Sequence, residues 1–308
     1  MQIEEFNVYT NKIKNITFAQ ISDMHLSRTK DNVNLKELCN TIKSINPTYI
    51  IITGDYFAGH KTKSFLDPKE KELLLDYLHE LCKIAPIVMS LGNHDIKLKI
   101  EDGLRKEFLS LEEENIHPVD RTKSFVDEKR KINFIGYMQP KYTYTICDLT
   151  KKKRQIILED INKYMPEAIL PGYYNIGLIH TPIIARDKYL LLNDSPTKKL
   201  DLILSGHHHN GMVNYKFANR LDSLSNYLQN KFPKHKDKLE KIKYISWCES
   251  AVNKPIPFIN FYARGMHMFG GVPTIISKGV GSKGAGGPNR KNVNNQVVTR
   301  INIINDKG

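Results

Sequence analysis

Ile16-Thr17-Phe18-Ala19-Gln20-Ile21-Ser22-Asp23-Met24-His25 runs an apolar stretch directly into a carboxylate and an imidazole two positions apart. The same arrangement recurs along the chain. Tyr49-Ile50-Ile51-Ile52 leads to Gly54-Asp55, and Pro86 to Ser90 leads to Gly92-Asn93-His94-Asp95. Asn175 to Ile179 ends at His180, and Leu200 to Ser205 ends at Gly206-His207-His208-His209. Short apolar runs bounded by turn residues read as strands buried on both faces. Helical patterns separate the first three. One has Asn34 as N-cap with Glu37 three residues on, and spaces Leu35, Leu38, Cys39 and Ile42 along one face. The other opens at Asp67-Pro68 and carries Leu74, Tyr77, Leu78, Leu81 and Cys82. Alternating strands and helices predict an α/β fold, and such sheets gather ligands outside the carboxyl ends of their strands. The five polar clusters are therefore expected to meet in space.

Elsewhere, Phe125-Val126 and Lys131 to Gly136 read as strands joined by Asp127-Glu128-Lys129, and residues 137–155 read mostly as loop. Thr274 to Ser277 and Gln296 to Ile304 are expected to complete a second sheet. Residues 212–272, rich in lysine and then in aromatic residues and methionine, read as a cap inserted into a single domain spanning 1–308. The glycine-rich loop Gly279 to Pro288 is expected close to the site, with Lys278, Lys283 and Arg290 offering charge to a phosphate.

With 308 residues, 40 % hydrophobic and 26 % charged, the chain has the make-up of a globular protein. Its 46 Lys and Arg outnumber 33 Asp and Glu, giving a net charge of +13 that favours anionic partners: phosphorylated small molecules, acidic lipid or nucleic acid. Four dispersed cysteines, Cys39, Cys82, Cys147 and Cys248, form no disulfide framework and point to a reducing compartment. Met1 to Asn15 lacks the apolar core of a signal peptide, so a cytoplasmic protein is expected. Peripheral contact with an acidic membrane would use Leu221, Leu224 and Leu228 with the lysine run beyond them.

Ligand chemistry narrows this further. Asp23 and His25, like His207 and His209, stand two apart at a strand end and are expected to leave the same face. Asp55 and Asn93 each follow a glycine that permits a sharp turn. Three oxygen donors and four imidazoles exceed what one ion requires. They suit two divalent ions in mixed oxygen and nitrogen coordination, with manganese, iron, zinc, cobalt and nickel all compatible.

In order and approximate spacing, Asp23-x-His25, Gly54-Asp55, Gly92-Asn93-His94-Asp95, His180 and Gly206-His207-x-His209 resemble the calcineurin-like metallophosphoesterases across residues 16–210. The resemblance implies a four-layered α/β fold, two sheets sandwiched between helices, and phosphoester hydrolysis by a hydroxide between two metals, manganese first among them. It implies Asp23, His25, Asp55 and His209 on one ion, and Asn93, His180 and His207 on the other, with Asp55 shared. His94 is implied as the general acid, and Asp95 as the catalytic-block residue that orients the loop or a neighbouring histidine. The protein serine/threonine phosphatase pattern G-D-x-x-D-R-G is broken here, where Ala58 stands at the second aspartate. Ile276-Ser277-Lys278-Gly279-Val280-Gly281 and Pro288-Asn289-Arg290 look like the closing segment of a bacterial, membrane-associated phosphodiesterase branch. A small-molecule or lipid-headgroup phosphodiester or monoester is the expected substrate. A nuclease of the same fold should interleave aromatics with its basic run, which here holds only Phe232. A non-catalytic, metal-stabilised interaction module would have no need of His94. His60, His79, His117, His235 and His267 are expected to be surface or core residues, and His208 a structural residue or a substrate-edge contact.

Overall fold

The computed structural model describes residues 1–26, 33–57, 68–96, 101–144, 149–209, 215–240, 242, 264–281 and 296–306. Alternation along β2 (Ile16–Ile21) shows how the layers form. Phe18 packs with Tyr49 and Ile51 of β3 (Tyr49–Thr53) and Val88 of β4 (Ile87–Ser90). That surface meets Phe134 of β7 (Ile132–Tyr137), Ile176 and Leu178 of β8 (Tyr174–Ile179), and Leu202 and Leu204 of β9 (Leu202–Ser205). Two sheets thus pack face to face. Ala19 and Ile21 point the other way, against α1 (Leu35–Ile45), α2 (Pro68–Cys82) and α3 (Glu101–Leu109) through Leu38, Ile42, Leu74, Leu78 and Phe108. On the outer face of the second sheet, Ile135, Ile179 and Ile203 meet α4 (Lys151–Ala168), α5 (Ile183–Arg186) and α6 (Lys188–Leu192). The result is the four-layered arrangement that the resemblance implied.

The first sheet runs β1 (Gln2–Thr10), β12 (Val297–Asn305), β2, β3, β4, β5 (Ile116–Pro118). The second runs β10 (Gly265–Phe269), β11 (Val272–Ile276), β9, β8, β7, β6 (Phe125–Asp127). Both are mixed: β2 to β5 and β7, β8, β9, β11 are parallel, with antiparallel neighbours at β12–β2, β6–β7 and β10–β11. Two polar contacts tie the sheets together. Gln20 Nε2 donates to Ser205 O at 2.9 Å, and Tyr49 Oη donates to Asp127 Oδ2 at 2.6 Å.

Several expectations need correction. The two closing strands separate: β11 joins the second sheet, but β12 inserts between β1 and β2 of the first. Residues 137–155, read mostly as loop, contain a short turn at Lys141–Thr143 and the start of α4 at Lys151. Within the segment 212–272, β10 is the edge strand of the second sheet. The preceding α7 (Tyr215–Lys231) and α8 (Lys236–Glu240) are described, but Trp247, Phe258, Phe261 and Tyr262 lie outside the described residues, as do Asp67, Lys283 and Arg290. On α7, Leu224 is exposed whereas Leu221 and Leu228 are half-buried, so the three do not form one exposed apolar stripe. Among the described residues, no helix is long and apolar enough to cross a membrane.

Candidate metal centre

The parallel ladders continue past their strands and draw the polar loops together. Asp23 N–H donates to Gly54 O at 3.0 Å, His25 N–H to Asp55 O at 3.1 Å, and Gly206 N–H to His180 O at 2.9 Å. Asp23, His25, Asp55, His207 and His209 all adopt positive φ, between 44° and 73°. Non-glycine residues held there cost on the order of 1–3 kcal/mol each and persist only where their surroundings fix them. The pairs Asp23/His25 and His207/His209 are therefore brought together by left-handed loop backbone, not by the alternation of an extended strand. Close packing leaves no alternative at two glycines. A Cβ at Gly54, whose φ is +82°, would lie 2.3 Å from Gly92 N, and one at Gly206 would lie 1.9 Å from Ser22 Oγ.

Donor atoms of Asp23, His25, Asp55 and His209 lie within 4.8 Å of one another, as do those of Asp55, His180 and His207. Asp55 belongs to both groups. Asn93 closes the second, its Oδ1 lying 2.7 Å from His207 Nδ1 and 3.1 Å from His180 Nε2. His25 Nε2 approaches His209 Nε2 to 3.0 Å, and His209 Nε2 stands 3.3 Å from Asp23 Oδ1. Ligands about 2.0–2.1 Å from a tetrahedral ion sit roughly 3.4 Å from each other, so these spacings are those of a coordination shell. All seven residues expected from the sequence are thus in one place. Asp23, His25, Asp55, His180 and His209 are buried, with Asn93 and His207 half-buried. His180 Nδ1 donates to Thr53 O at 2.6 Å, which turns Nε2 inward, the usual means of aiming a ligating imidazole. This nitrogen and oxygen set, without thiolate, fits divalent first-row ions.

Burial pushes the Asp23 carboxyl up to about 6, although His180 pulls it back. Burial would also raise Asp55, but His180, His94 and His25 hold it well below the carboxylate range. His180 is lifted to about 9, because Asp55 and Asp23 outweigh its desolvation. Burial lowers His25 to about 4. The cluster thus concentrates negative charge on Asp55, the residue that both donor groups share.

His94 and Asp95 part company. The Asp95 carboxylate is fully buried and accepts amides from Asp55 at 2.8 Å, Gly92 at 2.7 Å and Tyr56 at 3.0 Å. It shapes the Gly54–Tyr56 turn, as expected of a residue that orients the loop. His94 has a side chain 31 % exposed, with Nε2 4.0 Å from Asp55 Oδ2 and its backbone N–H on Asp55 Oδ1 at 2.7 Å. It is thus the more exposed of the two and borders the shared carboxylate of the cluster.

The other described histidines are not members of the two donor groups. His208 is buried with its ring against His207, His79 pairs with Glu113, His117 stacks on Phe125, and His267 bonds Arg264 O. His235 is exposed, and His60 lies outside the described residues. Lys278 does not offer its charge to the centre: its ammonium pairs with Glu4 at 3.0 Å. It also lines a cavity of about 400 Å³ with Glu4, Asp222, Glu240 and Arg264, to which none of the seven donors contributes. Sequence reading passed over Ser22, whose Oγ donates to Asp23 Oδ2 at 2.7 Å, and Lys141. Burial draws the Lys141 ammonium's pKa down while the charges of Asp55 and Asp95 draw it up.

The chain is similar to the UDP-2,3-diacylglucosamine pyrophosphatase LpxG of Chlamydia muridarum, 24 % identical over 106 residues, covering 34 % of this chain and 30 % of that protein. The LpxG of Chlamydia trachomatis serovar D is 27 % identical over 108 residues, again 34 % of this chain and 30 % of the relative. The chain therefore spans less than a third of the length of these curated relatives. Among solved structures it is similar to GAP50, the anchor in the inner membrane complex of Plasmodium, with a TM-score of 0.44, 17 % identity, and 93 % and 80 % of the two chains covered. A dimetal phosphatase from Danio rerio gives a TM-score of 0.40 at 9 % identity, with 86 % and 87 % covered. The calcineurin-like phosphoesterase profile matches residues 16–211, a span that takes in every strand-end cluster, and the chain belongs to that family.

Proposed function

We propose that the protein hydrolyses a phosphoester at a centre of two divalent ions. Asp23, His25, Asp55 and His209 would hold one ion, and Asp55, Asn93, His180 and His207 the other. The observation that carries this reading is the membership of Asp55 in both convergent donor groups. Ions held there supply positive charge to phosphoryl oxygens and lower the pKa of water toward neutrality. The chain's own contribution is to fix seven donors in a strained, pre-set cage and to place His94 beside it. His94 protonates the departing oxygen, a role typically worth about 10²–10⁴ in rate.

The substrate proposed is a small-molecule or lipid-headgroup phosphoester, of diester or monoester type. The Chlamydia relatives are pyrophosphatases of a nucleotide-linked diacylglucosamine, which supports that class over nucleic acid. Manganese is the metal to try first. Exposed Leu224, Tyr227 and Phe232 lie beside Lys231 and Lys234, which supports peripheral contact with an acidic bilayer. Absence of co-flotation with phosphatidylserine vesicles would remove that last element.

Manganese-loaded protein should hydrolyse bis-p-nitrophenyl phosphate or p-nitrophenyl phosphate, and a chelator should stop it. Asp55→Asn should remove nearly all turnover. His94→Ala should lower kcat with metal content unchanged; an unaltered kcat would refute the acid.

A further inference from the structure

The segment after β7 places a basic residue, which no motif announced, on a turn beside the metal centre. Tyr137 pairs with Ile179 in the β7–β8 ladder, so the chain beyond Tyr137 emerges at the same sheet edge as His180. It then closes into a tight turn, in which Thr143 donates to Pro140 O through N–H at 2.8 Å and through Oγ1 at 2.6 Å. From this turn the Tyr144 ring stands 5.9 Å from the His207 ring, centroid to centroid. The Lys141 ammonium lies 5.9 Å from the centre of the same Tyr144 ring. Lys141 is half-buried, and no carboxylate lies within 4.0 Å of its Nζ among the described residues. The carboxylates whose charge reaches it are Asp55 and Asp95.

A half-buried ammonium without a salt-bridge partner among the described residues calls for an anion, and Asp55 already belongs to both donor groups. An ammonium on a flexible stem is a compact point charge with three rotatable donors, well suited to a phosphate oxygen. Partial exclusion of water strengthens such a contact. We propose that Lys141, backed by the Tyr144 ring, binds a substrate phosphate oxygen that faces away from the donor cage, and so positions the phosphoryl group. This inference rests on the phosphoesterase reading above.

The test is calorimetric titration of inorganic phosphate into the manganese-loaded full chain, for wild type, Lys141→Met, Lys141→Arg and Tyr142→Ala. Tyr142 is 56 % exposed on the same turn and controls for disturbance of the loop. Lys141→Met should weaken phosphate binding about tenfold, the scale of one charge-assisted hydrogen bond, with manganese stoichiometry unchanged. Lys141→Arg should retain most of the affinity, and Tyr142→Ala all of it. Equal phosphate affinity in wild type and Lys141→Met overturns the proposal, as does loss of manganese from Lys141→Met or an equal loss of affinity in Tyr142→Ala. Ester hydrolysis by wild type is scored separately. Turnover with phosphate affinity unmoved by Lys141→Met removes only the lysine's role. Weakened phosphate binding without wild-type turnover removes only the hydrolase reading.

Discussion

Asp95 accepts the backbone amide of Asp55 at 2.8 Å, so one acidic side chain holds the main chain of another that belongs to both donor groups. It also accepts the amides of Gly92 and Tyr56. Asp95→Asn would aim an N–H₂ group at a main-chain donor. We expect a loss of about 2–3 kcal/mol in urea denaturation, from unsatisfied buried groups, together with weakened metal binding. Asn at full stability and full metal affinity would show that the clamp is dispensable.

Gly206 admits no side chain, since a Cβ there would meet both Ser22 Oγ and Asp23 Oδ2, at 1.9 and 2.5 Å. Gly206→Ala should push the β9 loop away from the β2 loop and destabilise the fold by about 1–3 kcal/mol. Metal affinity should fall more steeply than stability, because the displaced atoms belong to a proposed ligand. Thermal melting and manganese titration of the same preparation separate the two effects.

Metal should stabilise the native state, because the unfolded chain scatters donors from residues 23 to 209. Manganese at 100 times its Kd contributes about 2.7 kcal/mol by linkage. For a chain of this size that corresponds to roughly 5 °C in Tm, reversed by chelator. Asp55→Asn should abolish most of that shift. A shift of the same size in Asp55→Asn would argue against an anion common to both ions.

Acid should loosen the contact between the sheets. Burial works against ionisation of Asp127, but hydrogen bonds from Tyr49 and Arg130 outweigh it and hold the carboxyl below its ordinary value. A carboxyl depressed in the folded state adds stability that is complete above the unfolded pKa of about 3.9, and that disappears as pH falls through the lower folded value. Tyr49→Phe should therefore cost about 1.5–3 kcal/mol at pH 7 and progressively less below pH 4. Urea midpoints of both proteins across a pH series check this. A constant difference between them would place the stabilisation elsewhere.

The sequence made the five strand ends legible because each combined a buried apolar run with a ligating side chain, two signals that coincide only at the carboxyl edge of a sheet. β1 was missed for the opposite reason: it is largely exposed, with Val8 its one fully buried residue, and so carries no apolar signature. Helix α4 hides behind Lys151-Lys152-Lys153-Arg154, and buries only Ile157, Ile161 and Met165. The sheet chosen by β12 could not be read, because apolar alternation gives a strand's faces but not its neighbours. Within the site, residue types pointed to the side chains that converge. They did not foretell that Lys278 turns to Glu4, or that Lys141 is half-buried beside Tyr144.

The placement of β12 bears on how the molecule is made. Residues 297–305 fill the gap between β1, at the start of the chain, and β2, whose loop carries Asp23. Until they leave the ribosome, β2 offers a bare edge and β1 has no sheet to join. Assembly of the first sheet thus waits for residues 297–305 to follow β2 into being, and the interval in which that edge can capture a neighbouring chain is correspondingly long.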